Sequence, residues 1–155
     1  MATLYDTDFH AWTQEQAAKL RALVSERSNL DLDLENIAEE IESVGASDRR
    51  ELHSRLARII EHLLKLEDST LGEPRHGWRS SVRAERTSLE HLFKQSPSLR
   101  RLAADEIADA YKHAARRLKP QLIELTMDPL PVVCPYNLDQ ILTDEWWPMQ
   151  RDGLA

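Results

Sequence analysis

The stretch LDLENIAEEIESVG, residues 32–45, carries glutamates at positions 35, 39, 40 and 42. In a helix, 100° per residue puts Glu35, Glu39 and Glu42 on one stripe and leaves Glu40 off it. Such a row could supply oxygens to a hard divalent cation or act in acid–base chemistry. A metal inside a bundle needs inward-facing carboxylates. This stripe lies largely opposite Leu34, Ile37, Ala38, Ile41 and Val44, the apolar side of the same segment. No metal ligands are therefore assigned, and the carboxylates are expected to face water and neighbouring arginines.

The arginines are the natural counterparts. Arg75, Arg79, Arg83 and Arg86 climb one segment at near-helical spacing. Arg86, with Glu85, interrupts an apolar stripe between Val82 and Leu89, where the period calls for a hydrocarbon side chain. A guanidinium taken out of water must be paired, since breaking a buried pair costs about 3–5 kcal/mol. The expectation is a structural ion-pair network of Glu35, Glu39 and Glu42 with Arg79, Arg83 and Arg86. Its alternative is an anion-binding face, because the same planar fork suits phosphate.

Other catalytic constellations are thin. The six histidines (10, 53, 62, 76, 91 and 113) include no i, i+4 pair, and Cys134 is the only cysteine, which leaves a cysteine-based zinc site without ligands. Cys134 lies between Val133 and Pro135, a setting that keeps a thiol neutral. Gly-x-Ser-x-Gly, phosphate-loop and dinucleotide-loop motifs are missing. The reading leans away from an enzyme and assigns no cofactor. The alternative kept open is a metal-dependent enzyme using the glutamates with His62 or His91.

The elements that must position these groups are helical. Five amphipathic segments can be marked. The first, Asp8 to Arg27, has Phe9, Trp12, Leu20, Leu23 and Val24 on one face. The second is the glutamate stretch, with Gly45 in the left-handed position past its end. A third starts at Asp48 in capping-box spacing with Glu51 and carries Leu52, Leu56, Ile59, Ile60, Leu63 and Leu66. The fourth runs from about Trp78 to Lys94. In the fifth, Ser96 caps and Pro97 takes the first helical position; Leu99, Leu102, Ala103, Ile107, Ala110, Tyr111, Ala114 and Leu118 follow, and Pro120 should kink or end it. Residues 128–155 form a proline-punctuated tail, with Asn137 capping a short helix and Trp146 and Trp147 as anchors. The fold class is all-α: a bundle of four to five helices with a docked irregular C-terminal tail, in one domain over 1–155.

Composition sets the partners. Residues 1–45 hold ten acids against three bases, residues 46–127 twelve against sixteen, and residues 128–155 five against one. A basic middle between acidic ends suits a charged protein partner, and Arg100, Arg101, Trp146 and Trp147 are the expected contact surface. Nucleic acid, held through the basic middle, is the less favoured partner because the pI is near 5.4. No apolar run is long enough for a membrane span, and a single cysteine fits a reducing cytoplasm.

Taken together, LYDTDFHAW, LDLENIAEEIESVG, RRELHSRLARIIEHLLK, GWRSSVRAER, SPSLRR and CPYNLDQILTDEWWP occur in this order. They resemble the bacterial family known as domain of unknown function 29, over about Leu4 to Pro148. The resemblance implies a small all-helical cytoplasmic protein and carries over no activity, cofactor or catalytic residue.

Overall fold

The structure is a computed structural model describing residues 1–26 and 29–151. The described residues form helices and connecting turns, with no strand among them. A short α1 (Leu4–Thr7) leads into α2 (Phe9–Ser25), α3 (Leu34–Asp68), α4 (Arg75–Gln95) and α5 (Pro97–Leu118). A 3-10 turn over Lys119–Gln121 and a short α6 (Leu138–Leu142) follow. Several boundaries obey local chemistry. Asp8 caps α2, Pro97 opens α5, α5 stops two residues before Pro120, and Asn137 caps α6 in a capping box with Gln140. The expected end of the first segment at Arg27 lies outside the described residues.

One boundary is corrected. The second and third expected segments are a single helix of 35 residues, and neither Gly45 nor Asp48 ends or starts anything. Gly45 is there for closeness. A Cβ added at this buried position would run into Thr13 Oγ1, far inside van der Waals contact. The threonine is fixed, because its hydroxyl donates to the His10 carbonyl at 2.7 Å. His10 Nδ1 lies 3.1 Å from the Gly45 carbonyl. Glycine therefore costs α3 some helix propensity and gives α2 room to approach.

Two compact units can be distinguished: Met1–Glu51 with His91–Arg101, and Leu52–Glu90 with the chain from Leu102 onward. In the first, the buried set is small or polar for much of its extent: Asp8, His10, Thr13, Ala17, Ala38 and Ser96, joined by Leu34, Leu92, Phe93 and Leu99. Two helix starts exchange caps there. Asp8 accepts from Ala11 N–H at the head of α2 and from the Ser98 N–H at the head of α5, at 3.0 and 2.7 Å. In return, Ser96 Oγ accepts the His10 N–H at 3.1 Å. Burial works against the Asp8 charge, but these bonds, the Ser98 hydroxyl and Arg101 outweigh it and lower the pKa.

The second unit has a conventional interior. Leu52, Leu56, Ile59, Ile60, Leu63 and Leu66 of α3 are fully buried, with Val82, Leu89, Leu118 and Ile141. Ala103, Ala110 and Ala114 sit in the same interior with no exposed surface.

Candidate functional site

The arginines of α4 and the C-terminal tail form one assembly in the second unit. Arg86 is buried, and its guanidinium is enclosed by backbone carbonyls. Nε donates to Ile141 O at 2.8 Å, one terminal nitrogen to Asp144 O at 3.2 Å, and the other to Gln140 O and Trp146 O at 3.0 and 3.1 Å. Gln140 and Ile141 belong to the last turn of α6, whose carbonyls have no partner within their own helix. A cation at a helix C-terminus also meets the negative end of its dipole. Trp147 closes the assembly: the guanidinium carbons of Arg79, Arg83 and Arg86 lie 5.6, 5.3 and 4.9 Å from its ring. Burial lowers the Arg86 pKa and Arg83 adds to this, while Asp144 works the other way.

This arrangement replaces the expected network. The acids and bases assigned to one cluster take separate partners. Glu42 pairs with Arg21 of α2 at 2.5 Å, which lowers the carboxyl pKa and raises that of the guanidinium. The charges of Glu39 and Glu35 act on the same Arg21. Arg86 takes carbonyls, and Arg79 and Arg83 lie exposed on Trp147. The neighbouring Glu85 is buried between Arg55 and Arg58 of α3, at 2.7 and 2.8 Å. The expected surface residues divide likewise. Trp146 packs edge-on against Tyr136 at 5.7 Å, Arg100 lies over Phe93 at 5.8 Å, and Arg101 reaches Asp8 at 3.8 Å.

The histidines do not converge with the glutamates of α3. Glu35, Glu39 and Glu40 are exposed in the first unit. His62 belongs to the second, where burial lowers its pKa and Nδ1 has no hydrogen-bond partner among the described residues. His91 is exposed. His53 lies 3.6 Å from Glu106 and beside the His113 ring. One Glu-x-x-His spacing, Glu73 to His76, straddles the turn into α4, and both residues are exposed. Among the described residues, no group of three or more His, Cys, Asp or Glu side chains is placed to hold a metal ion. The Cys134 thiol is half-buried, and burial raises its pKa.

A surface in the first unit was not anticipated. Phe9, Trp12, Leu23, Val24, Ile37 and Val44 mark the apolar stripes of α2 and early α3, and such stripes ordinarily form the core. Here the buried face of α2 is His10, Thr13 and Ala17, and small residues of α3 meet it. Phe9 and Trp12 are half-buried and Leu34 is buried, but Val24 is 42% exposed, Ile37 38% and Val44 47%, and in the link between the helices Leu30 is 53% exposed and Leu32 59%. Tyr5 is also exposed and meets Trp12 and Phe9 edge-on at 4.9 and 5.6 Å. The same stretch of chain carries acids, with Glu26, Asp31, Asp33, Glu35, Glu39 and Glu40 all exposed. The signal available in the sequence was the run of small residues at 13, 17, 38 and 45, which marks a close helix contact beside the stripes.

A family model described as "Domain of unknown function DUF29" matches residues 4–147. The chain belongs to this family. A solved alpha-helical protein of unknown function from Rhodospirillum rubrum is 30% identical, with a TM-score of 0.73 over 94% of this chain and 93% of that one. No match is found among the curated proteins. For this DUF29 chain, two of the segments carrying the resemblance, GWRSSVRAER and CPYNLDQILTDEWWP, are the two halves of the Arg86–Trp147 assembly. Their chemistry here holds the tail in place. Among the described residues of the DUF29 chain, no helix is long and apolar enough to cross a membrane.

Proposed function

We propose that this chain is a non-enzymatic, cytoplasmic protein-interaction module whose docking face is the apolar exterior of α2 and the start of α3. The observation carrying this reading is the outward placement of Val24, Leu30, Leu32, Ile37 and Val44 on a stretch of chain that also carries exposed acids. Large apolar side chains gathered on a surface with a polar rim are a feature of protein contact sites. Residues 1–45 carry ten acids against three bases, which favours a partner presenting a basic, apolar segment and disfavours a second copy of the same face. Arg100 and Arg101 are exposed in the same unit, where Arg100 lies over Phe93 and Arg101 reaches Asp8. Trp146 and Trp147 already serve the tail and are left out of this face.

The test is a quantitative tagged purification from the native host at low salt, run in parallel on three chains. The expected companion is stoichiometric with the unaltered chain and with a Val132→Glu/Val133→Glu control in the other unit. It is lost from Leu32→Glu/Ile37→Glu. Equal recovery by all three chains would remove the proposed face. A second reading, nucleic-acid binding, is favoured by exposed Arg79 and Arg83, which rest on Trp147 with no carboxylate among the described residues paired to either. It expects nucleic acid in the same eluate, displaced by salt and lost in Arg79→Ala/Arg83→Ala.

A further inference from the structure

A cleft of about 700 Å³ in the second unit is lined by the end of α5 and by residues 129–132. Its lining combines two chemistries. Ala115, Leu122 and Leu130 supply hydrocarbon, and Pro120, Pro129 and Pro131 supply more while offering no backbone N–H. Lys112, Arg116 and Lys119, spaced i, i+4 and i+7, add cationic groups to the same lining. Arg116 and Lys119 are exposed and make no ion pair among the described residues. Lys112 pairs with the exposed Asp109, at 3.5 Å. The wall is braced, because the Tyr111 hydroxyl donates to the Pro131 carbonyl. At the mouth Val132 is 97% exposed, so the apolar lining continues to the surface.

We infer that this cleft binds an amphiphilic anion, a hydrocarbon body ending in a carboxylate or phosphate. Pockets of this volume take small organic ligands, with apolar walls supplying contact and a few polar groups fixing orientation. The proline wall can meet only the hydrocarbon, since it has no donor to give. The head group falls to Arg116 and Lys119, whose charges have no counterpart among the described residues. Arginine holds carboxylate and phosphate through two parallel N–H donors, and the lysine adds a point charge. The site is independent of the face proposed for a protein partner.

The test is titration calorimetry of the full chain with decanoate and decyl phosphate, both as monomers, against decanol and decyltrimethylammonium. Both anions are expected to bind at one per chain, and both controls at least ten-fold more weakly. Arg116→Glu/Lys119→Glu should weaken the anions at least ten-fold with an unchanged melting temperature. Ala115→Phe, which adds bulk to the apolar lining, should weaken both anions as well. Decanol binding as well as decanoate, an unaffected charge variant, or no binding by either anion would overturn the inference. Flotation with phosphatidylglycerol vesicles then names the source. Charge-dependent co-flotation assigns the anion to a lipid in a bilayer, and its absence to a free amphiphile.

Discussion

Helix α3 passes through two different interiors. At Gly45 its neighbours are Thr13 and His10, polar groups that let backbones approach, and while Leu34 is buried, Ile37 and Val44 of the same stretch stand exposed. From Leu52 to Leu66 the buried residues of the same helix are mainly leucine and isoleucine, and the polar groups at its surface are Ser54 and Arg58, with His53, Arg55 and His62 half-buried. Hydrophobic burial scales with area removed from water, so the second region carries most of the apolar stabilisation. The first is held by directional contacts: exchanged helix caps, a fixed threonine and a glycine without substitute. A region built this way can keep large apolar groups on its surface without losing its own cohesion.

The largest effect should come from the second region's polar exception. Replacing Arg86 by Ala leaves four carbonyls without their donor and opens a hole, a loss of about 3–5 kcal/mol. For a chain this size that is a fall of roughly 10 °C in melting temperature. Ending the chain at Asp144 should act in the same direction by removing Trp146 and Trp147. A melting point unmoved by either change would show that the tail is not held by this assembly.

Next is the first region's close contact. Gly45→Ala should destabilise by about 1–3 kcal/mol despite alanine's better helix propensity, because Thr13 Oγ1 occupies the space. Adding Thr13→Ala should recover part of that loss, and a chemical denaturation series on the two variants checks it. Stabilisation by Gly45→Ala alone would mean the helices do not meet there.

A smaller, pH-dependent effect belongs to His62. Burial holds its folded pKa below the unfolded 6.5, so the unfolded chain binds the proton more readily. Its neutral form favours folding above about pH 6.5, and that contribution falls as pH drops from there toward the folded pKa. Melting curves of the unaltered chain and His62→Leu between pH 7.5 and 5 should diverge, with the unaltered chain losing more. Parallel curves would mean His62 is as accessible to protons as in the unfolded chain.

Much of this fold was legible because local chemistry determines it. Ser96-Pro97, Asn137 with Gln140, and the apolar period of residues 52–66 each point to one local structure. Gly45 misleads because glycine serves two purposes, ending a helix or admitting a neighbour, and the neighbour is in another segment. The stripes of α2 and early α3 mislead for the same reason. Periodicity marks an apolar face but not whether small residues alongside it have taken the contact. Arg86 was conspicuous for breaking an apolar period, yet its partners are backbone carbonyls, which leave no trace in side-chain identities.

The central claim is that the apolar exterior of the first region serves a partner and not the fold. The most direct measurement is thermal unfolding of Leu30→Gln/Leu32→Gln/Ile37→Gln/Val44→Gln beside the unaltered chain, each alone in solution. Exposed substitutions away from structural contacts change stability by roughly 0.5 kcal/mol or less apiece. The account predicts a melting temperature within a few degrees of the unaltered chain. A fall as large as that expected for Arg86→Ala would contradict it and make those side chains part of the fold's own core.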